Sequence, residues 1–260
     1  DIEQATTMPF IGDVPKSVSN EAIISSSSRT STAEALRIVR TNLEFLLNEV
    51  PEGLAKTIFL TSTFPKEGKT FISVNTAATI ALSDRKVLLI GLDIRNPKLD
   101  EYLETNNIGV TNYLASKDTK NIGDYITKLE GYPHFYVLPA GVIPPNPAEL
   151  LMSKKVGEMF EKLKQEYDYI IVDTAPVSLV TDTLLIAKYA DAFIYVTRAN
   201  YLDKRMLSLP EKLYQEKKLP NMSILLNDTN SNKGYGYGYG YGYGYGVEVK
   251  KKPIWKRFFS

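Results

Sequence analysis

The sequence has no cysteine, which excludes disulfides, thiolate zinc sites and thiol nucleophiles and suits a reducing compartment. Its single histidine, His134, rules out a polyhistidine metal site within one chain and reads as a loop or strand-edge residue. No stretch approaches the roughly 18 uncharged apolar residues that a bilayer span needs, and no signal-peptide pattern appears. An excess of one charge is missing as well. The 31 Lys and Arg against 30 Asp and Glu give a formal charge of +1, so no basic field argues for nucleic acid. What is there is ordinary globular composition, 260 residues that are 43% hydrophobic and 23% charged. That suffices for one α/β domain with a large core and tails at its ends. The chain opens at Asp1, in DIEQATTMPFIGDVPKS, rather than at Met, and reads as a piece cut from something longer, with room for membrane anchors in the remainder.

Residues 1–30 are polar, run through SSSSRTS and read as a linker. In the following STAEALRIVRTNLEFLLNEV, Leu36, Val39, Leu43 and Leu46/Leu47 recur at helical spacing, with Ser31 or Thr32 available as N-cap. Short β-rich runs then alternate with helical segments: KTIFLTS, KVLLIGLD, HFYVLPA, YDYIIVDTA, AFIYVTR and MSILLN, against GKTFISVNTAATIALS and PAELLMSKKVGEMFEKLKQEY. Several strands are apolar on both faces, as a parallel sheet between helix layers requires. The expected fold is a doubly wound, mostly parallel α/β domain over residues 31–230. Residues 231–260 are low-complexity: GYGYGYGYGYGYG and then VEVKKKPIWKRFFS.

The run KTIFLTSTFPKEGKTFISVNTA reads as strand, turn, then a helix opening on Gly68-Lys69-Thr70. Amides at such a helix start are unpaired and bind anions. Lys69 would reach the β- and γ-phosphates, and the Thr70 hydroxyl would ligate Mg²⁺. The general pattern wants glycine five residues before Gly68; here that position is Thr63, and the turn carries Pro65, Lys66 and Glu67. Nucleotide contacts are expected from Thr63, Pro65, Lys66, Glu67, Gly68, Lys69, Thr70 and Phe71. Two strand ends supply carboxylates, VLLIGLD with Asp93 and YIIVD with Asp173. These would fall at the carboxyl edge of the sheet, where such folds bind ligands, and would hold Mg²⁺ directly or through water.

On these residues the sequence resembles the bacterial tyrosine kinases of capsule and exopolysaccharide export, P-loop proteins unrelated in fold to eukaryotic kinases. STFPKEGKT resembles that family's altered Walker A, VLLIGLDIRNP its second acidic motif and YIIVDTAP its Walker B. Glu34-x-x-Arg37-x-x-Arg40 resembles its assembly motif, the tyrosine repeat its autophosphorylated tail, and MPFIGDVP the segment after its second transmembrane helix. The resemblance implies an ATP- and Mg²⁺-dependent kinase with Lys69, Asp93 and Asp173 catalytic and Thr70, Asp93 and Asp173 at the metal. It also implies a homo-oligomer, a ring, that phosphorylates its own tails in trans. The domain would sit on the cytoplasmic side of the inner membrane beside a membrane-anchored polysaccharide co-polymerase portion. One departure stands out: Gly91 occupies the place of the first of two aspartates. That leaves Asp93 to accept the phenol proton late, and an active but slower enzyme is expected, because positioning and charge neutralisation dominate phosphoryl transfer.

By spacing, Glu34, Arg37 and Arg40 share one helix face; the resemblance makes it a docking ridge for a neighbouring subunit. Tyr235, Tyr237, Tyr239, Tyr241, Tyr243 and Tyr245 follow the last strand at distances that reach roughly 26 to 59 Å when extended. Each phosphate adds about −1.5 to −2 charge, so a fully modified tail gains roughly −9 to −12 and would repel its neighbours. Trp255, Phe258 and Phe259 beside Lys250 to Lys252, Lys256 and Arg257 suit an anionic membrane or a neighbouring kinase as well as a solvated end. Arg95, in DIRNPKLDEYL, is placed near the phosphates. Two other readings compete. A ParA/MinD-like switch ATPase would carry lysine where this chain has Phe64 and has no use for the tail; a nucleotide-binding regulatory module without transfer activity remains open because of Gly91.

Overall fold

A computed structural model describes residues 2, 4–17, 22–48, 50–116 and 121–230. In chain order the strands and helices are β1 (Phe10–Pro15), α1 (Ser31–Leu46), β2 (Lys56–Ser62), α2 (Lys69–Ala81), β3 (Val87–Leu92) and α3 (Val110–Ala115). Then come β4 (Thr127–Lys128), β5 (Phe135–Leu138), α4 (Pro147–Leu151), α5 (Lys154–Leu163), β6 (Tyr169–Thr174) and α6 (Asp182–Ile186). β7 (Ala192–Arg198), α7 (Ser208–Gln215) and β8 (Met222–Thr229) complete the series. The eight strands form one sheet in the order β1-β8-β7-β2-β6-β3-β5-β4. Every pairing is parallel except β4 with β5.

Strand period two sends alternate residues into two cores. Ile58 and Leu60 of β2 pack with Leu36, Val39 and Leu43 of α1 and with Ile72 of α2; Phe59 packs on the other face with Met159, Phe160 and Leu163 of α5. The Phe59 ring lies 5.7 Å from that of Phe160 and 5.3 Å from that of Phe193. Because β3 and β6 are covered on both faces, every residue in them is buried, which is why they read as continuous apolar runs rather than alternating ones. The expected doubly wound sheet is therefore the observed one.

The N-terminal segment differs from its reading as a plain linker. Phe10–Pro15 forms edge strand β1, parallel to β8, with Ile11 and Val14 buried and Asn42 of α1 donating to the Ile11 carbonyl at 2.9 Å. A six-residue strand preceded by Pro9, interrupted by Gly12 and ending on Pro15 carries too little pattern to be read locally. Further on, the Asn75 side chain of α2 accepts from the Ile24 N–H at 2.9 Å and donates to the Ala22 carbonyl at 3.2 Å, while the Tyr132 hydroxyl donates to the Ile24 carbonyl at 2.6 Å. The cap of α1 is Thr30, which accepts from the Ala33 N–H, rather than Ser31 or Thr32. Leu36, Val39, Leu43 and Leu47 are buried, each side chain contributing about 1.5–3 kcal/mol. PAELLMSKKVGEMFEKLKQEY is two helices, α4 and α5, broken at Met152 and Ser153. Among the described residues no helix is long and apolar enough to cross a membrane.

Candidate active site

Parallel strands deliver their carboxyl ends to one edge, and β2, β3 and β6 are sheet neighbours. The loop after β2, Asp93 just past β3 and Asp173 in β6 therefore meet. The Lys69 ammonium lies 2.7 Å from Asp173 Oδ1 and 3.8 Å from Asp93 Oδ2, with its side chain 7% exposed. The Thr70 hydroxyl donates to Asp173 Oδ2 at 2.9 Å and the Ser73 hydroxyl to Asp173 Oδ1 at 3.1 Å. Asp93 donates its backbone N–H to the Asp173 carbonyl at 3.0 Å and accepts the Asn96 N–H on its carboxylate at 3.2 Å. Burial pushes the Asp93 carboxyl above the usual carboxylate range; the Lys69 charge works against that shift and the Asp173 charge adds to it.

The loop is shaped by two left-handed residues, Lys66 at φ 69° and Gly68 at φ 88°. Gly68 is the N-cap of α2 and no side chain caps that end, so first-turn amides are left for a ligand. Glycine is required at 68: a Cβ there would fall 1.9 Å from Asn227 Nδ2 in an already left-handed conformation. Thr63 turns its hydroxyl away to Tyr195 at 2.9 Å, so only its backbone is offered to the loop.

Glu67 is wholly buried. One carboxyl oxygen accepts the Phe64 N–H at 2.7 Å, and the other has no hydrogen-bond partner among the described residues. Burial pushes this carboxyl up to about 7 from an ordinary value of 4.5, against the pull of the backbone amides of Phe64, Arg198 and Thr63. An acid whose folded value is raised binds its proton more tightly when folded, so its contribution to stability falls as pH climbs from about 4.5 to about 7. Glu67→Gln is uncharged throughout. Its stability relative to the parent should rise between about pH 5 and pH 8 by up to ~3 kcal/mol, measured by denaturant unfolding across that range; a flat difference would refute the assignment.

Gly91 pairs in register with Asp173, and the space beside it is taken. A Cβ there would meet Leu99 Cδ1 at 2.9 Å and the Ala140 backbone nitrogen at 3.1 Å. The Leu99 tip can swing aside, but the backbone of the β5 exit can yield only by shifting the loop. Gly91→Ala is expected to cost about 1–3 kcal/mol by overpacking. Gly91→Asp should cost more without a gain in activity, and Leu99→Ala should relieve part of either cost. Denaturant unfolding of the three single variants and the two double variants, beside a phosphotyrosine assay, checks this.

Arg95 is gripped by Asp182 at the start of α6, its Nε donating at 2.7 Å and a terminal nitrogen at 2.9 Å; Asp182 is buried and Arg95 40% exposed. The clasp ties the loop after β3 to the one after β6. Phe71 is half-buried with its ring 6.3 Å from that of Tyr102. Of the assembly motif, Arg37 bonds Glu34 in the same helix and the Ser28 carbonyl at 2.9 Å, and Arg40 donates to the Thr79 carbonyl of α2 at 3.2 Å. His134 stands before β5, 3.8 Å from Asp84. The six tail tyrosines and the basic-aromatic end lie outside the described residues.

Three participants went unread in the sequence. Ser73 sits one helical turn after Lys69, a spacing that puts both on the same face. Asn227 lies near the end of β8, where the strand-end logic that picked Asp93 and Asp173 would have found it. Asp182 carries no local signal, since its partner is 87 residues away.

Fold and site together define a P-loop nucleotide-binding protein. A family model described as an AAA domain matches residues 55–209. The tyrosine-protein kinase CpsD of Streptococcus agalactiae serotype III is 34% identical over 203 residues, which are 77% of this chain and 84% of that protein. The tyrosine-protein kinase Wzc of Salmonella typhimurium is 36% identical over 168 residues, 64% of this chain but 22% of the length of Wzc. Among solved structures, the kinase domain of the Escherichia coli tyrosine kinase ETK superposes with a TM-score of 0.78 at 29% identity, covering 92% of this chain and 97% of that one. The chain belongs to the bacterial tyrosine-protein kinase family.

Proposed function

We propose that the protein is an ATP-dependent tyrosine autokinase that phosphorylates the tail tyrosines of neighbouring subunits and so regulates polysaccharide synthesis and export. The observation that carries the reading is the convergence of Lys69, Thr70, Asp93 and Asp173 beneath an uncapped helix start, in a chain whose named relatives are tyrosine-protein kinases. Phe64 stands where a switch ATPase of the runner-up class would carry its lysine.

The oxygen donors fit Mg²⁺, which takes one or two carboxylates, keeps several waters and needs no all-protein cage. The Thr70 hydroxyl and the Asp173 and Asp93 carboxylates would hold it, and when bound it would neutralise charge on the phosphates. Lys69, held by Asp173 in the free protein, exchanges that partner for the phosphate oxygens. The loop amides bind the same oxygens. The acceptor phenol forms its O–P bond to the terminal phosphorus as the bond to the bridging oxygen of ADP breaks, and the phenol proton passes late to Asp93. Little nucleophile activation is needed in a loose transition state, so a single strand-end aspartate suffices.

Assembly through α1, with Glu34, Arg37 and Arg40 re-pairing across subunits, and a place at the cytoplasmic face of the inner membrane complete the proposal. The test is to incubate the purified chain with Mg–ATP and follow intact mass alongside ADP release. Several added phosphates on tyrosine support the kinase; ADP without added mass would favour the switch ATPase.

A further inference from the structure

The carbonyl groups of the phosphate loop are all engaged, and the donors come from four places in the chain. Val177 N–H donates to the Ser62 carbonyl at 3.0 Å, Ser178 to that of Thr63, and the Ser62 hydroxyl to that of Phe64 at 2.8 Å. The next three carbonyls are held from the β7–β8 side of the sheet. The Tyr201 hydroxyl donates to Pro65 at 3.1 Å, an Arg198 terminal nitrogen to Lys66 at 3.0 Å, and Asn227 Nδ2 to Glu67 at 3.0 Å. Arg198 is itself fixed by Asp228, its Nε donating at 2.9 Å.

A trans peptide is planar, so the N–H of residue i+1 points opposite to the C=O of residue i. Three successive carbonyls pulled to one side turn the amides that follow them to the other, where the uncapped first turn of α2 also presents its own. Lys66 supports this independently. A non-glycine residue at φ 69° is a costly conformation that persists only where the surroundings over-determine it, and the Arg198 bond falls on that residue's carbonyl.

We infer that Tyr201, Arg198 and Asn227 are positioning residues that aim the amides of the phosphate loop at the bound phosphates, none of the three touching the nucleotide. The inference rests on the nucleotide-binding reading. It makes the loop's competence depend on the ends of β7 and β8, the latter strand leading directly into the tail.

The test is calorimetric titration of the whole chain with two ligands, Mg–ATP and inorganic tripolyphosphate, which has no base or sugar. Tyr201 is 47% exposed, so Tyr201→Phe removes one hydroxyl at no risk to folding. Asn227→Leu removes the donor at similar volume without adding charge, and Arg198→Met removes both bonds while Arg198→Lys keeps a donor. Each lost donor should weaken both ligands in parallel by about 2- to 10-fold, with Arg198→Lys recovering part of the loss and the melting temperature of Tyr201→Phe unchanged. Binding of both ligands within a factor of about two of the parent, below the effect of one hydrogen bond, would overturn the inference. So would a loss confined to Mg–ATP, which would reassign the residues to base or sugar contact. A parent chain that binds neither ligand would instead bring down the nucleotide-binding reading itself.

Discussion

Lys69→Met should abolish tyrosine phosphorylation, by about 10³-fold or more, and should also destabilise the protein before any ligand is present. The second effect comes from the ion pair inside the site. The Lys69 and Asp173 side chains are 7% and 2% exposed and 2.7 Å apart, with Asp93 3.8 Å from the same ammonium. Removing the cation leaves two buried carboxylates facing one another, and breaking such a pair from one side costs about 3–5 kcal/mol. The sign of the pH dependence follows. The Asp93 carboxyl is already above its ordinary range with Lys69 pulling it down, so without Lys69 it rises further and the folded state holds the extra proton. The deficit should therefore be small in acid and grow as pH increases. Lys69→Met combined with Asp173→Asn should regain most of the lost stability and none of the activity. Urea unfolding of the single and double variants at acidic and alkaline pH, beside a phosphotyrosine assay, separates the two effects. A Lys69→Met protein as stable as the parent at every pH would show that the pair does not hold the free site together.

Changing all six tail tyrosines to phenylalanine should remove nearly all incorporated phosphate while leaving nucleotide binding intact. Phenylalanine keeps the ring and deletes only the oxygen that accepts the phosphoryl group. Eleven tyrosines remain elsewhere in the chain, and five of them are closed to the reaction. Tyr113, Tyr125, Tyr167, Tyr169 and Tyr195 are buried, and burial pushes the Tyr167 phenol up to about 12 and that of Tyr195 higher still. The charge argument gives a second outcome. A parent tail carrying six phosphates gains roughly −9 to −12, repulsion that acts over about 8 Å at physiological ionic strength and suffices against contacts made by a few exposed polar side chains, each worth under about 1 kcal/mol. Light scattering should show parent assemblies dissociating in Mg–ATP and the six-Phe variant staying assembled. If the variant came apart as readily as the parent, tail charge would not be what governs assembly.

Much of the fold could be read from local pattern. The β-rich runs of β2, β3, β5, β6, β7 and β8 lie where their apolar residues place them, because a doubly covered parallel sheet demands continuous apolar strands. Lys69, Thr70, Asp93 and Asp173 were legible for a related reason: each lies at the end of a strand or the start of a helix, so its chemical identity and its place on the sheet edge are written in the same few residues.

What stayed hidden has long-range partners. The linker-like Phe10–Pro15 becomes a strand only because β8 offers it an edge, and Arg37 and Arg40 find acceptors at the Ser28 and Thr79 carbonyls within the chain. Gly91 reads in the chain as a missing acid. Packed, it is a position closed by Leu99 and Ala140.

The amino-acid order was enough to specify the α/β class, the anion-binding turn and the carboxylates around it, since these depend on periodicity and on residues adjacent along the chain. Folding then settled what holds the loop's carbonyls, how burial raises the Glu67 carboxyl, and that Lys69 rests on Asp173. Those outcomes depend on atoms brought together from 100 or more residues apart, and no local pattern carries that information.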